Sequence, residues 1–171
     1  MLIDIKTISQ STGAWQAIEI ESQPEDFDLS SLGYHLVRPL SFRGRLQNTE
    51  DGVLVLEGQV AATYEGECAR CLRPVRRSLE LAVFERYRPA GKAAADDEPG
   101  YSYSGGHVDI SQAVRDNLLP VLPSRLICRE SCRGLCPYCG IDLNEQDCRC
   151  AADHHSELSP FGQIRNLRNL L

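Results

Sequence analysis

Apolar and polar residues alternate through most of the first half of the chain, and a period of two predicts strands. Leu2–Ile8 and Trp15–Ser22 are short segments of this kind. Leu36–Thr49, Gly52–Glu67 and Val75–Tyr87 are longer and rich in β-branched, aromatic and aliphatic residues. Asn48-Thr-Glu-Asp-Gly52, between the first two long segments, has turn chemistry. Within Gly52–Glu67, Leu54, Leu56, Val60, Ala62 and Tyr64 fall on one face, and Gln59, Thr63 and Glu65 on the other. That division predicts an antiparallel β-meander covered on one side, occupying residues 1–88.

The pattern then changes. Residues 89–106 are small, acidic and rich in Gly and Pro, which predicts a flexible, exposed loop. Ile110, Val114, Leu118 and Val121 follow at helical spacing. They predict a helix within 107–125, capped by Asp109 or Ser111 and ended by Pro120 and Pro123. A cysteine-rich module spans 126–151. Over 160–171, Phe161, Ile164, Leu167 and Leu171 line one side of a short terminal helix. Sheet first and helices later predict an α+β fold.

Composition narrows the function classes. A chain of 171 residues with 42% hydrophobic content can bury a core of ordinary size. Its net charge is −6 and uneven: residues 1–37 carry six acids against one Lys, whereas 38–92 carry ten basic residues against seven acids. No large positive field surrounds the whole, so indiscriminate coating of nucleic acid is not expected. Met1-Leu-Ile-Asp-Ile-Lys6 lacks a basic segment leading into an apolar run, and no window approaches the ~18 apolar residues of a membrane span. The expected location is therefore the reducing cytoplasm, where paired cysteines hold metal more often than they form disulfides.

The most specific chemistry is Cys136-Pro-Tyr-Cys139-Gly140 followed by Cys148-Arg-Cys150. Pro fixes φ ahead of the bend and Gly lets the chain turn, so two closely spaced thiolate pairs can face one point, as a tetrahedral Zn²⁺ site requires. The other four cysteines are also two pairs, Cys68-x-x-Cys71 and Cys128-x₃-Cys132. Short loops cost less entropy to close, which favours Cys136, Cys139, Cys148 and Cys150 as one site and Cys68, Cys71, Cys128 and Cys132 as the second. A swapped arrangement joins the two CxxC knuckles instead, and His154 is a possible replacement for one sulfur. One or two structural zinc ions are thus expected. Four thiolates fill every position and weaken the ion as a Lewis acid, which argues against catalytic zinc. A redox role for Cys68-x-x-Cys71 is the competing reading, and the Arg residues around it would lower a thiol pKa. Pro74 and the strand-like run that follows oppose the helix such motifs use.

Together, Cys68-Ala-Arg-Cys71-Leu72, the segment Val108-Asp-Ile-Ser to Asn117-Leu-Leu-Pro120-Val-Leu-Pro123, and the string Cys128-Arg-Glu-Ser-Cys132-Arg-Gly-Leu-Cys136-Pro-Tyr-Cys139-Gly-Ile-Asp-Leu-Asn144 with Cys148-Arg-Cys150 resemble the YceD family. Its members are described as large ribosomal RNA subunit accumulation proteins. The resemblance covers roughly residues 15–155 and implies a single YceD-like domain, in a cytoplasmic bacterial or organellar protein needed for normal levels of large-subunit (23S) ribosomal RNA. It carries no catalytic residues across.

Two modes of action suit that process. Arg70, Arg73, Arg76 and Arg77 surround the first knuckle, with Arg43, Arg45, Arg86 and Arg88 on nearby strands, and could meet rRNA phosphates. The alternative is a solvated face on which Glu65, Glu67, Glu80 and Glu85 cancel the charge. Tyr101, Tyr103 and Tyr138 are the candidates for base stacking, although Tyr138, inside the knuckle, is expected rather to shield the metal. The second mode is recognition of a ribosomal protein or assembly factor, for instance through the terminal helix. No phosphate-binding loop, HExxH or GxSxG is present, and no small-molecule substrate is evident. The sequence reads as a non-enzymatic zinc-binding factor, with a CxxC redox or metal-sensing protein as the alternative.

Overall fold

Alternation in the longest predicted segment builds the centre of the sheet, as seen in a computed structural model that describes residues 1–91 and 100–150. The strands are β1 (Leu2–Asp4), β2 (Trp15–Ser22), β3 (Tyr34–Leu36), β4 (Leu40–Asn48), β5 (Leu54–Glu67), β6 (Pro74–Pro89), β7 (Tyr101–Tyr103) and β8 (His107–Asp109), followed by helix α1 (Ser111–Leu118). Six strands form one sheet in the order β2-β4-β5-β6-β7, with β3 also on β5, and β1 pairs with β8. The described residues are thus mostly β-sheet with one short α-helix, and the N-terminal meander is present. The expected helix over 160–171, His154, and residues 92–99 of the acidic loop lie outside the described residues.

Contacts divide the chain into two compact units. Among the described residues, one comprises Met1–Gly66 and Val75–Ser124, and the other Glu67–Pro74 and residues 125–150. In the first unit, Leu54, Leu56, Val60, Ala62 and Tyr64 of β5 are buried on one face, joined by Phe42, Leu46, Val83, Tyr87, Ile110, Ala113, Val114 and Leu118. Gly44 of β4 stands directly opposite Gly58 of β5. A Cβ on Gly58 would lie 2.5 Å from the Arg43 carbonyl oxygen and 2.6 Å from Cζ of Phe42, so the paired glycines make room for that ring.

Four departures from the pattern have physical causes. Leu36–Thr49 is not continuous: β3 and β4 pair with successive stretches of β5 and are separated at Val37–Pro39, where Pro39 offers no ladder donor. Leu2–Ile8 is a strand only to Asp4, because the Asp4 carboxylate accepts the Lys6 backbone N–H at 2.9 Å and turns the chain. Within the predicted exposed loop, Tyr101–Tyr103 runs parallel to Tyr87–Pro89. Tyr101 stacks on Tyr87 at 5.3 Å and donates to Asp116, and the Tyr103 hydroxyl donates to the Gly52 carbonyl, so both rings serve the fold. The helix buries Ile110, Ala113, Val114 and Leu118 but leaves Val121 exposed, because the chain tightens into a 3₁₀ turn over Leu119–Val121. Asp109 accepts the Ser111 N–H at 2.9 Å at the helix start.

Candidate metal centre

All eight cysteines belong to the second unit, and all eight are free thiols. The turn Cys68–Arg73, between β5 and β6, forms the first knuckle. The Cys68 N–H donates to the Arg73 carbonyl (2.8 Å) and the Leu72 N–H to the Cys68 carbonyl (2.9 Å), with Leu72 held at a φ of 58°. The Ala69 N–H donates to the Leu126 carbonyl at 2.8 Å, tying the knuckle to the stretch that leads into Cys128 and Cys132. Downstream, the Gly140 N–H returns to the Cys136 carbonyl (2.9 Å) and the Cys136 N–H donates to the Ile141 carbonyl (2.8 Å). Gly134 has a φ of 75° and lies so close to Arg70 that a Cβ would be 2.9 Å from the Arg70 carbonyl oxygen.

These turns sort the thiols into two groups. Cys68, Cys71, Cys128 and Cys132 form one, Cys136, Cys139, Cys148 and Cys150 the other, and in each group the sulfurs lie within 4.8 Å of one another. The swapped pairing of the two CxxC knuckles is not the one adopted. In the first group Cys68 and Cys132 sulfurs are 3.9 Å apart, and Cys71 and Cys128 sulfurs 3.7 Å. Four sulfurs at about 2.3 Å from one tetrahedral ion would be about 3.8 Å apart, so the donor set and spacing fit a metal ion in each group. The first group is largely buried, with only Cys128 half-buried. In the second, only Cys136 is buried and Cys139 is exposed.

Hydrogen bonds to sulfur prepare the groups for ionisation. Burial resists charging Cys68, but N–H groups of Arg70, Cys128 and Cys71 outweigh it and bring this thiol down to about 6. Cys136 is also brought down to about 6, by the N–H groups of Cys139 and Tyr138 acting against burial. Cys132 is lowered too: burial opposes its charge, and the Gly134 N–H and Asn144 amide favour it. Their neighbours keep the protons. Cys71 rises to about 12 despite the Arg73 N–H, through burial and the surrounding thiols. Cys150 rises to about 12 through Cys139 and burial. A metal ion entering either group would displace these shared protons.

Comparison with known proteins decides the family. Residues 56–168 match the model of the family described as "Large ribosomal RNA subunit accumulation protein YceD". The chain belongs to the YceD family. Similar relatives include uncharacterized proteins of Mycobacterium bovis and Mycobacterium tuberculosis, each 31% identical over 94% of this chain and 77% of the relative. The "Large ribosomal RNA subunit accumulation protein YCED homolog 1, chloroplastic" of Arabidopsis thaliana is 33% identical over 36% of this chain and 18% of its own length. No solved structure matches. YceD membership suggests a role in ribosomal RNA accumulation, and the family is described by that process and not by an enzymatic reaction. No helix among the described residues is long and apolar enough to cross a membrane.

The arginines around the first knuckle are engaged. Arg70 donates to the Glu130 and Cys132 carbonyls (3.0 and 2.8 Å), and Arg73 pairs with Asp142 and Glu145, both at 2.6 Å. Arg76 pairs with Glu65 at 3.1 Å, and Arg77 donates to the Arg76 carbonyl. On the sheet, Arg43 meets Glu19 and Arg45 meets Glu57, each at 2.8 Å. Tyr138, between Cys136 and Cys139, is exposed. Sequence reasoning did not single out Asp142 and Asn144. Their signal was present in Gly140-Ile-Asp-Leu-Asn144, a polar pair at alternate positions inside a cysteine loop.

Proposed function

We propose that this YceD protein is a zinc-stabilised, non-enzymatic factor that supports accumulation of large-subunit ribosomal RNA by binding that RNA. Each cysteine group holds one Zn²⁺ in a purely structural role. The observation that carries the reading is the makeup of the second unit's interior. Among its described residues the buried apolar side chains are Cys68, Cys71, Cys132, Cys136 and Leu126, so sulfur stands where a core would be. Four thiolates leave no coordination position for substrate water and quench the Lewis acidity of the ion. The redox alternative has the lowered Cys68 thiol in its favour, but that sulfur is fully buried among three others.

Arg70, Arg73, Arg76 and Arg77 are the proposed phosphate contacts. All four residues are exposed, with the Arg73 side chain at 46% and the Arg76 side chain at 58%. The Glu145 partner of Arg73 is itself exposed, and exposed ion pairs are worth about 0–1 kcal/mol, so a phosphate can replace that carboxylate at little cost. Exposed Trp15 and Phe84, at 62% and 61%, favour a second reading in which a ribosomal protein or assembly factor is the partner.

Elemental analysis of natively purified, reduced protein is expected to give about two zinc equivalents, one per tetrahedral group. Absence of metal with eight freely titratable thiols would end the zinc reading. Crosslinking in cells followed by sequencing is expected to recover large-subunit precursor RNA, with recovery lost in an Arg73→Ala/Arg76→Ala protein that keeps its zinc. A ribosomal protein recovered without RNA would replace the first reading by the second.

A further inference from the structure

Asn144 lies in the loop between Cys139 and Cys148, which the second cysteine group closes, yet its side chain serves the first group. Its Nδ2 donates to the Cys132 sulfur at 3.5 Å and to Asp142 Oδ1 at 2.7 Å. Its Oδ1 accepts the Arg133 backbone N–H at 2.9 Å and the Arg129 guanidinium at 3.1 Å. Only this orientation of the amide satisfies all four partners, because the reverse sets NH₂ against two donors and oxygen against a carboxylate.

Asp142 extends the link to the other side of the first group. Its Oδ1 also accepts the Asn144 N–H at 2.8 Å, and its Oδ2 pairs with Arg73 at 2.6 Å. Arg73 in turn supplies the carbonyl that accepts the Cys68 N–H. The loop backbone is fixed as well: the Leu143 N–H donates to the Gly134 carbonyl (2.9 Å), Leu135 bridges Asp142, and the Leu135 N–H donates to the Arg70 carbonyl (3.0 Å). One short segment therefore touches both halves of the first group while the second group ties down its ends.

We propose that Asn144 is a positioning residue that couples the two metal sites, so that filling the Cys136 group tightens metal binding in the Cys68 group. The amide N–H stabilises charge on the Cys132 sulfur only while the loop is held in place. Closing the Cys136 group removes the loop's freedom, so the entropy of presenting Asn144 is no longer charged to the first site. Coupling between binding sites is reciprocal, so a filled first group must favour the second by the same factor. This proposal rests on the reading that both groups bind zinc.

The test is zinc competition against a calibrated chelator on the full chain, with Co²⁺ substitution reporting thiolate coordination at each site. Asn144→Leu, which keeps the volume but cannot donate, is expected to weaken the first site about 10–100-fold while two equivalents still bind at saturation. Cys148→Ser/Cys150→Ser, which empties the second site, is expected to weaken the first by a similar factor in the native background and to add little to Asn144→Leu. Asn144→Asp keeps the acceptor for Arg133 and loses the donor, so it reads the same effect if the Leu variant fails to fold. First-site affinity within twofold of native in both Asn144 variants would overturn the proposal. So would an equal loss from emptying the second site whether or not Asn144 is present. If the native chain binds no zinc, the metal reading itself fails, an outcome distinct from either of these.

Discussion

The two units solve the problem of stability in different ways. The first buries aliphatic and aromatic side chains against a sheet, with Phe42, Leu46, Leu54, Leu56 and Val60 fully enclosed. Burial at about 25 cal/mol per Å² of apolar surface suffices for such a unit. Among its described residues the second buries four cysteines and Leu126, and its chain is otherwise turns, hydrogen bonds to carbonyls and ion pairs. An interior of thiols offers little hydrophobic stabilisation, but its two groups of four sulfurs could each hold a soft cation. On the zinc reading proposed above, a metal stands in for a core where the sequence is too polar to build one.

Removing metal probes that contrast most strongly. Chelation is expected to abolish amide-exchange protection across 68–73 and 125–150 while amides of β4 and of residues 54–66 in β5 stay protected. Structural zinc carries apparent energies of ~10–16 kcal/mol in small modules, comparable to a whole domain's stability. Equal loss of protection in both units would show that the sheet also depends on metal. A smaller, opposite probe is Gly58→Ala. The new methyl meets backbone and the Phe42 ring, so chemical denaturation should show a loss of about 1–3 kcal/mol in the first unit with zinc content unchanged. An unchanged midpoint would mean that the strand pair yields easily. Smallest of all, Arg45→Ala removes an exposed partner of Glu57 and should change stability by about 0.2–1 kcal/mol at most. A larger change would reveal that surface charge matters to the sheet.

Much of the first unit was legible because its signal is local. The buried side of β5 follows from strict alternation; in the second unit, the grouping of Cys136, Cys139, Cys148 and Cys150 follows from the lower cost of closing short loops, which leaves the other four thiols as the remaining set. Pairings between distant segments were not legible. Nothing in Leu2–Asp4 announces His107–Asp109 as its partner, and the parallel contact of Tyr101–Tyr103 with β6 is hidden inside a Gly-rich, acidic stretch. The break at Pro39 was visible in principle, since proline cannot donate to a ladder, but the apolar run on either side masked it. Asn144 escaped for another reason. Its significance depends on a sulfur 12 residues away in a different turn, and periodicity carries no information about such a meeting.

The separation of the first group's halves in the chain sets a timetable for its birth. Cys71 precedes Cys128 by 57 residues, and Cys68 precedes Cys132 by 64. At about 5–20 residues per second, a nascent chain exposes the early pair for roughly 3–13 s before its partners emerge. The strands on either side of that pair can form within this interval, so the thiols wait at the end of an already paired ribbon. Any small-molecule thiol, oxidant or loosely held cation in the vicinity meets them first.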